Sequence, residues 1–426
     1  MDSRSPRKGL HAGAADGDPA ASRGNVKPLQ TSCVIAGGGP AGMMLGYMLA
    51  RAGIDVTVLE KHADFLRDFR GDTIHPSTLE VMRELGLLEG LLKRPHQKVA
   101  RIGGQIGATK VEIADFTHLP THCKFLAFMP QWDFLNFLAE EGARLGNFHL
   151  HMQAEASGLI ETDDCISGLV AKTPAGEMRI EAGLVIGADG RGSVIRDLAG
   201  LKIENLGAPI DVLWMQLSRK PSDAPETLGR FDAGRIFIML DRGDYWQCGF
   251  VIPKDAFVAL KEKGIEAFRE DIAVLMPSLR DRVGELESWD DIKLLTVKVD
   301  RLREWARPGL LCIGDAAHAM SPLGGVGINL AIQDAVAAAN LLAAPLKKGP
   351  PSLAELRRVQ MRRAFPTRVT QAVQVFAQER IIGPLLRERG EITLPFPVKM
   401  LQWFPYLRRF PARAVGIGVR PEHVEI

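Results

Sequence analysis

The chain lacks the marks of a metalloprotein, of a secreted protein and of an enzyme that works through its own nucleophile. Among 426 residues it has five cysteines, Cys33, Cys123, Cys165, Cys248 and Cys312. No two stand at metal-knuckle or redox-pair spacing, which points to reduced thiols and a cytoplasmic setting. The ten histidines form no HExxH-like pattern, so no metal site is expected. No triad motif is present either. No uncharged apolar run reaches the roughly 18 residues of a spanning helix, so no integral membrane segment is expected. Charge of one sign is also missing: 53 Lys and Arg face 51 Asp and Glu. That balance gives no reason to expect nucleic acid as a partner, and no general pull toward a membrane. Residues 1–29 lack the apolar core of a secretory signal. Asp2, Asp16 and Asp18 speak against a mitochondrial presequence, and we expect a disordered tail there.

The composition that remains, 46% hydrophobic and 24% charged, is that of a globular protein. The length suits two or three domains, or one large domain with insertions. The first strong signal is an apolar strand, SCVIA (Ser32–Ala36), that runs into GGGPAG (Gly37–Gly42). An apolar helical stretch and a second strand, DVTVLEK (Asp55–Lys61), follow. This is the dinucleotide fingerprint. Gly37 permits the tight turn, Gly39 lets backbone approach a pyrophosphate, and Gly42 lets the helix pack closely. Pro40 and Ala41 complete the turn, and the helix start offers bare N–H groups and a positive dipole end to the phosphates. Glu60, with Lys61 beside it, closes the second strand at the place of a ribose hydroxyl acceptor. A carboxylate there favours the unphosphorylated ribose of FAD or NAD.

Three later segments bear on which of those two binds. RGDTIHPSTLEVMRELGLLE (Arg70–Glu89) reads as a loop and then a helix whose start has two readings: Ser77 and Glu80 have capping-box spacing, while Pro76 at the first helical position would put the cap at His75. LVIGADGRGSVIRDLAG (Leu184–Gly200) is a strand, an Asp189-Gly190 turn and a helix that Ser193 can cap. In the third, the apolar Leu310–Ile313 ends in Gly314-Asp315. GDAAHAMSPLGGVGIN then leads into a helix with apolar spacing from Ile328 to Leu342. In that loop Pro322 sets the backbone, while Gly324, Gly325 and Gly327 leave it bare enough to meet a planar ligand. Asp315, if buried, needs a partner or ligand hydroxyls.

GGGPAG with Glu60, GADGRGSVIR and GDAAHAMSPLGGVGIN, in this order, resemble the single-component FAD-dependent aromatic hydroxylases typified by para-hydroxybenzoate hydroxylase. MPQWDFLNFL, GDYWQCGFVIPKDAF and GIGVRPEHV are also similar to that family, so the resemblance runs from about residue 30 to the end. It implies a Rossmann-like α/β FAD-binding domain with an inserted mixed β-sheet and a C-terminal helical region. The expected FAD-binding domain is discontinuous, over residues 30–105, 125–202 and 298–345. The substrate-binding sheet would take residues 106–124 and 203–297, and the helical region 346–426.

The resemblance further implies that Arg70 and Gln131 contact FAD, that Asp189 and Gly190 serve FAD and the pyridine nucleotide, and that Asp315, with Gly314 beside it, binds the ribityl or pyrophosphate part. Gly327, Ile328 and Asn329 would lie against the flavin ring, with Pro322 and Gly325 in the loop that faces it. The implied reaction uses NADH or NADPH and O2 to hydroxylate a small aromatic, phenolic substrate through a flavin hydroperoxide. His318 is read as structural. Trp214, Met239, Trp246 and Gln247, on strand-like runs, are candidates to line the substrate pocket or to sit in the core. The aromatic, basic stretch Leu385–Arg413 suits contact with a membrane surface, a partner subunit such as a homodimer mate, or the FAD domain itself. Other readings of the same fold are a flavin-dependent halogenase, whose double-tryptophan segment is missing at Asp244–Pro253, and an isoprenoid double-bond reductase. A GDI or Rab escort-like binding protein would share the first glycine turn alone.

Overall fold

The computed structural model describes residues 28–66, 73–223, 228–232, 234–387 and 394–426. Most of the expected 1–29 tail lies outside the described residues, and Leu29 already begins a strand.

Five strands build a parallel sheet: β1 (Leu29–Ala36), β2 (Val56–Glu60), β3 (Phe148–Met152), β4 (Gly176–Gly187) and β5 (Leu310–Cys312). Their spatial order is β5-β4-β1-β2-β3. VTVLE of β2 is buried at every position, as in a strand covered on both faces. The helices that shape the site are α1 (Pro40–Arg51), α2 (Pro76–Glu84), α3 (Gln131–Ala143), α4 (Val194–Leu198), α5 (Ile265–Leu275), α6 (Val326–Leu346), α7 (Leu353–Ala377), α8 (Phe396–Trp403) and α9 (Arg409–Gly416). α1 and α6 pack side by side, and α1 buries every residue from Ala41 to Ala50. The segment Leu323–Leu346 is long and apolar enough to cross a membrane, yet 67% of its most apolar window is buried. Its apolarity is that of a central core helix.

The second sheet has seven strands, in the order Lys293–Leu295, Ile210–Ser218, Tyr245–Pro253, Arg235–Asp241, Leu228–Asp232, Arg101–Ile106 and Thr109–Asp115. It is mixed, because Gly229 pairs with Gly104 in parallel while the other ladders are antiparallel. The strand Arg101–Ile106 belongs wholly to this sheet, so the first crossing from one sheet to the other falls near residue 100 rather than at 105/106. A strand cannot change sheets at its last residue without giving up its ladder.

Side-chain alternation gives this sheet two faces. Leu213, Phe237, Met239, Trp246, Cys248 and Phe250 share one core with Phe268 and Ile272 of α5. Val212, Trp214, Ile236 and Val251 point the other way, toward Leu323 and Ile382.

α7 lies along α6 and continues into a π-helical turn, Gln378–Ile382. The last helices do not fold back on the parallel sheet. Val398 of α8 packs with Ile106 and Val111, and Ala412 of α9 with Ala114 and Phe116, which places both helices on the edge strand of the second sheet.

Candidate active site

The first glycine turn divides its labour as the fingerprint requires. Gly37 has φ +110°, and a Cβ there would lie 2.3 Å from the Ala188 carbonyl oxygen. A Cβ on Gly42 would lie 2.0 Å from the Gly37 oxygen, whereas one on Gly39 would meet nothing within 4 Å. The backbone is therefore open at Gly39 alone of the three. Gly39 caps α1 without a side-chain hydrogen bond, and Pro40 follows at the first position. Proline has no N–H, so Ala41 and Gly42 carry the donors that helix geometry leaves without an internal acceptor. That cradle fits a pyrophosphate.

Glu60 is buried. It accepts from the Gly38 N–H at 3.2 Å and from the His62 N–H at 3.0 Å, and it also meets the His62 ring. Its carboxylate braces the first glycine turn at the end of β2. Lys61 beside it is exposed.

The second turn differs from expectation. The Asp189 carboxylate accepts from the Ser193 hydroxyl and, at 3.1 Å, from the Ile195 N–H. Burial pushes its pKa up, against the opposing hydrogen bonds. Ser193 caps α4 as read from sequence, accepting from Arg196 N–H at 3.0 Å. Asp189 thus braces the start of α4, and Gly190 beside it has φ +86°.

The third turn joins the other two. Gly314 has φ +59°, and a Cβ there would come within 3.1 Å of the Ala41 Cβ and 3.2 Å of the Ala331 Cβ. The first turn of α1 and the second turn of α6 approach each other at this glycine. Asp315 has a 38% exposed side chain and lies 3.7 Å from the Arg191 guanidinium, at the Asp189-Gly190 turn. Gly324 and Gly325 are left-handed, at φ +77° and +62°, and Gly325 caps α6 without a side-chain hydrogen bond. A Cβ on Gly327 would meet only the Met320 Cβ, at 3.8 Å. The helix start is thus open at Gly327, whereas a Cβ on Gly325 would lie 2.2 Å from the Thr73 hydroxyl oxygen.

Asn329 corrects the expectation for its side chain. Its oxygen accepts from the His75 N–H at 2.8 Å and the Thr78 hydroxyl at 2.7 Å, while its amide donates to the Thr73 and Gly325 carbonyls. Asn329 ties α6 to the start of α2 and has no polar atom to spare for a ring. His75, the cap of α2, gives its Nδ1 proton to the Val415 carbonyl at 2.7 Å. Burial lowers its pKa to about 4 despite that bond, so the imidazole is neutral.

Two buried networks escaped sequence reading. Gln371, Gln374 and Gln378 line one side of α7 and its π turn. Gln374 accepts from Ser321 N–H at 3.2 Å and donates to the Ser321 and Leu323 carbonyls, both at 3.0 Å. Gln371 donates to the Asp300 and Ala319 carbonyls, and Gln378 to the Ser321 hydroxyl. Side-chain amides therefore stand in for a strand in holding the loop before α6. Beneath it, Asp334 takes Arg363 Nε at 3.0 Å, the Gly314 N–H at 3.1 Å and the His318 ring. All three side chains are at most 1% exposed, and Arg363 continues to Glu422. His318 is structural, as expected. The signals were present, as an acid within the apolar run of α6 and as glutamines at helical spacing, but neither names its partner.

Of the pocket candidates, Met239 and Trp246 are corrected. Both sit in the core under α5, where the Trp246 Nε1 donates to Asp223 at 2.9 Å and Asp223 pairs with buried Arg282. That anchor holds the indole on the face opposite the one packed toward Leu323. Trp214 lies on the face toward Leu323. Gln247 shares that face by alternation and accepts from Arg242 Nε at 3.0 Å. Gln131 opens α3. Arg70 lies outside the described residues.

Two uncapped helix starts on the carboxyl edge of one parallel sheet define a site for a long, two-ended phosphate ligand. The comparisons with known proteins agree. The family described as "FAD binding domain" matches residues 30–373. The chain belongs to this family, FAD is its cofactor, and it is an FAD-dependent monooxygenase. Among curated proteins it is similar to the 6-methylpretetramide 4-monooxygenase of Streptomyces rimosus, at 34% identity over 83% of this chain and 85% of that one. Among solved structures it resembles the OxyS anhydrotetracycline hydroxylase from Streptomyces rimosus, with TM-score 0.70 and 24% identity over 92% of this chain and 77% of that one. It also resembles the p-nitrophenol 4-monooxygenase PnpA from Pseudomonas putida, with TM-score 0.72 and 19% identity over 91% and 96%. At those identities the solved structures speak to the fold alone.

Proposed function

We propose that this monooxygenase hydroxylates a phenolic aromatic substrate held between the flavin-facing loop and the inner face of the second sheet. The observation that carries the reading is the packing of α1 against α6 through Ala41, Gly314 and Ala331, with each helix starting uncapped, at Gly39 and Gly325. The N–H groups of Ala41 and Gly42 would hold the pyrophosphate. Asp315 and the turn at Gly190 would meet the ribityl region, and the N–H groups from Val326 to Ile328 the pyrimidine side of the ring. The start of α6 would stabilise negative charge on that ring by about 0.3–2 kcal/mol, depending on burial. Bound FAD, reduced by NADH or NADPH, supplies the activation of O2 and the transfer of one oxygen atom. Trp214 and Leu323 would wall the substrate and keep water from the ring.

The expected setting is the cytoplasm. The five free thiols support it, and burial pushes those of Cys33, Cys248 and Cys312 far up, into an unreactive form.

The test is a screen of phenolic compounds, 6-methylpretetramide among them, for stimulated NAD(P)H oxidation by the flavin-loaded protein. Incorporation of one atom of labelled oxygen into the product supports the reading. Saturation of a substrate double bond, or halide incorporation, would replace hydroxylation by another flavin chemistry.

A further inference from the structure

The helices at the end of the chain present a surface that the flavin chemistry does not use. On α8, Phe396 and Trp403 stand seven residues apart, hence on one side, and are 66% and 63% exposed. Tyr406, in the turn that follows, is 61% exposed, and Phe410 of α9 is 66% exposed. The opposite sides are buried through Val398 and Ala412. Because both helices lie on one edge strand, Thr109–Asp115, their outward sides form one continuous surface. Several large aromatics exposed within so short a stretch exceed the scattered apolar residues normal for a surface.

The charge of the same segment is one-sided. Between Leu394 and Pro421 there are five Lys and Arg and no Asp or Glu, in a chain whose net charge is only +2. Arg408 is held by Glu112, while Arg409 and Arg413 lie on the exposed side of α9. Tryptophan, tyrosine and phenylalanine beside arginine make up the chemistry of the lipid headgroup level, where the rings enter the boundary and the cations meet phosphate. A second copy of the chain would set the same positive charge against itself.

We propose that α8, the Pro405–Arg408 turn and α9 form a docking face for an anionic membrane surface. The face lies one helix away from the site: the carbonyl of Val415 in α9 holds His75, and the Val415 side chain lies 3.8 Å from the Cβ position of Gly324. Docking therefore brings the flavin-facing loop close to the bilayer, where an apolar aromatic substrate partitions.

The experiment uses the full-length, flavin-loaded protein without turnover, so its outcome is independent of the hydroxylation reading. The protein is sedimented with vesicles of phosphatidylcholine, and with vesicles of phosphatidylcholine mixed with phosphatidylglycerol, at low and high salt. We expect binding to the mixed vesicles only, weakened by salt. Arg409→Gln with Arg413→Gln should lower the partition about tenfold or more. Trp403→Ser with Phe410→Ser should lower it at every salt concentration, with flavin content and thermal midpoint kept as the check on folding. Failure of the wild-type protein to bind either vesicle overturns the proposal, as does equal, salt-independent binding to both. A wild-type dimer that Phe410→Ser converts to a monomer also overturns it, in favour of an interface between copies.

Discussion

Replacing Gly39 by alanine separates cofactor binding from folding. Gly39 has φ −76° and ψ −177°, which alanine adopts freely, and an added Cβ would meet no atom within 4 Å. The fold without cofactor should accept the change, with stability altered by less than about 1 kcal/mol. The same methyl group stands where a pyrophosphate must approach the Ala41 and Gly42 N–H groups. Two charge-assisted hydrogen bonds, at about 1.5–3 kcal/mol each, amount to about 3–6 kcal/mol, or roughly a hundredfold to ten-thousandfold in Kd. Gly42→Ala is the contrasting variant. Its Cβ would lie 2.0 Å from the backbone oxygen of Gly37, an overlap that no side-chain motion relieves, so it should lose the fold itself. Flavin-fluorescence titration of the cofactor-free protein reads Kd, and thermal melts with and without FAD read stability. Wild type should melt higher in FAD by mass action. Gly39→Ala should keep the cofactor-free midpoint and lose the shift. Wild-type affinity in Gly39→Ala, or a midpoint as low as that of Gly42→Ala, would refute this account of the turn.

Three further outcomes are expected. Asp334→Asn strands Arg363 and His318 in a dry interior and should cost about 3–5 kcal/mol in urea unfolding. Burial alone would raise the Asp334 carboxyl, but His318 and Arg363 hold it below the ordinary carboxylate value. Its stabilisation is therefore full above that value and is lost as pH falls through the depressed one, an acid limb that the variant should lack in unfolding profiles. Gln374→Leu removes the grip on the Ser321 and Leu323 carbonyls and should cost about 1–3 kcal/mol for each buried group left unpaired. It should also raise the fraction of NAD(P)H oxidised without hydroxylated product. Asp315→Ala should weaken FAD retention and Gly327→Val should impair flavin seating, both read from the visible absorbance of the purified proteins; full flavin content in both would contradict the assignment of this loop.

Local chemistry was legible in the sequence where the constraint itself is local. A glycine turn between an apolar strand and an apolar helix allows few conformations, so the separate duties of Gly37, Gly39 and Gly42, the cap at Ser193 and the helix start at Pro76 follow from neighbouring residues. The family's motifs added the order of these turns and the cofactor they serve. What depended on partners far along the chain was decided by tertiary structure alone. Asn329 is bound to residues some 250 positions upstream, so its motif position says nothing of where its amide points. Asp189 and a free ligand-binding carboxylate look alike until Ser193 and Ile195 are seen to occupy it. Met239 and Trp246 share strands with Ile238 and Gln247, and a pleat turns neighbours to opposite faces. Only the helix packed on one face, and the Asp223–Arg282 pair beneath Trp246, determine which face is closed off as core. The sequence by itself determined where a dinucleotide could be gripped. The packing of the two sheets against α6 and α7 decided which side chains are already committed, because an amide such as Asn329, with both acceptor and both donor positions filled in the interior, has nothing left to offer a ligand.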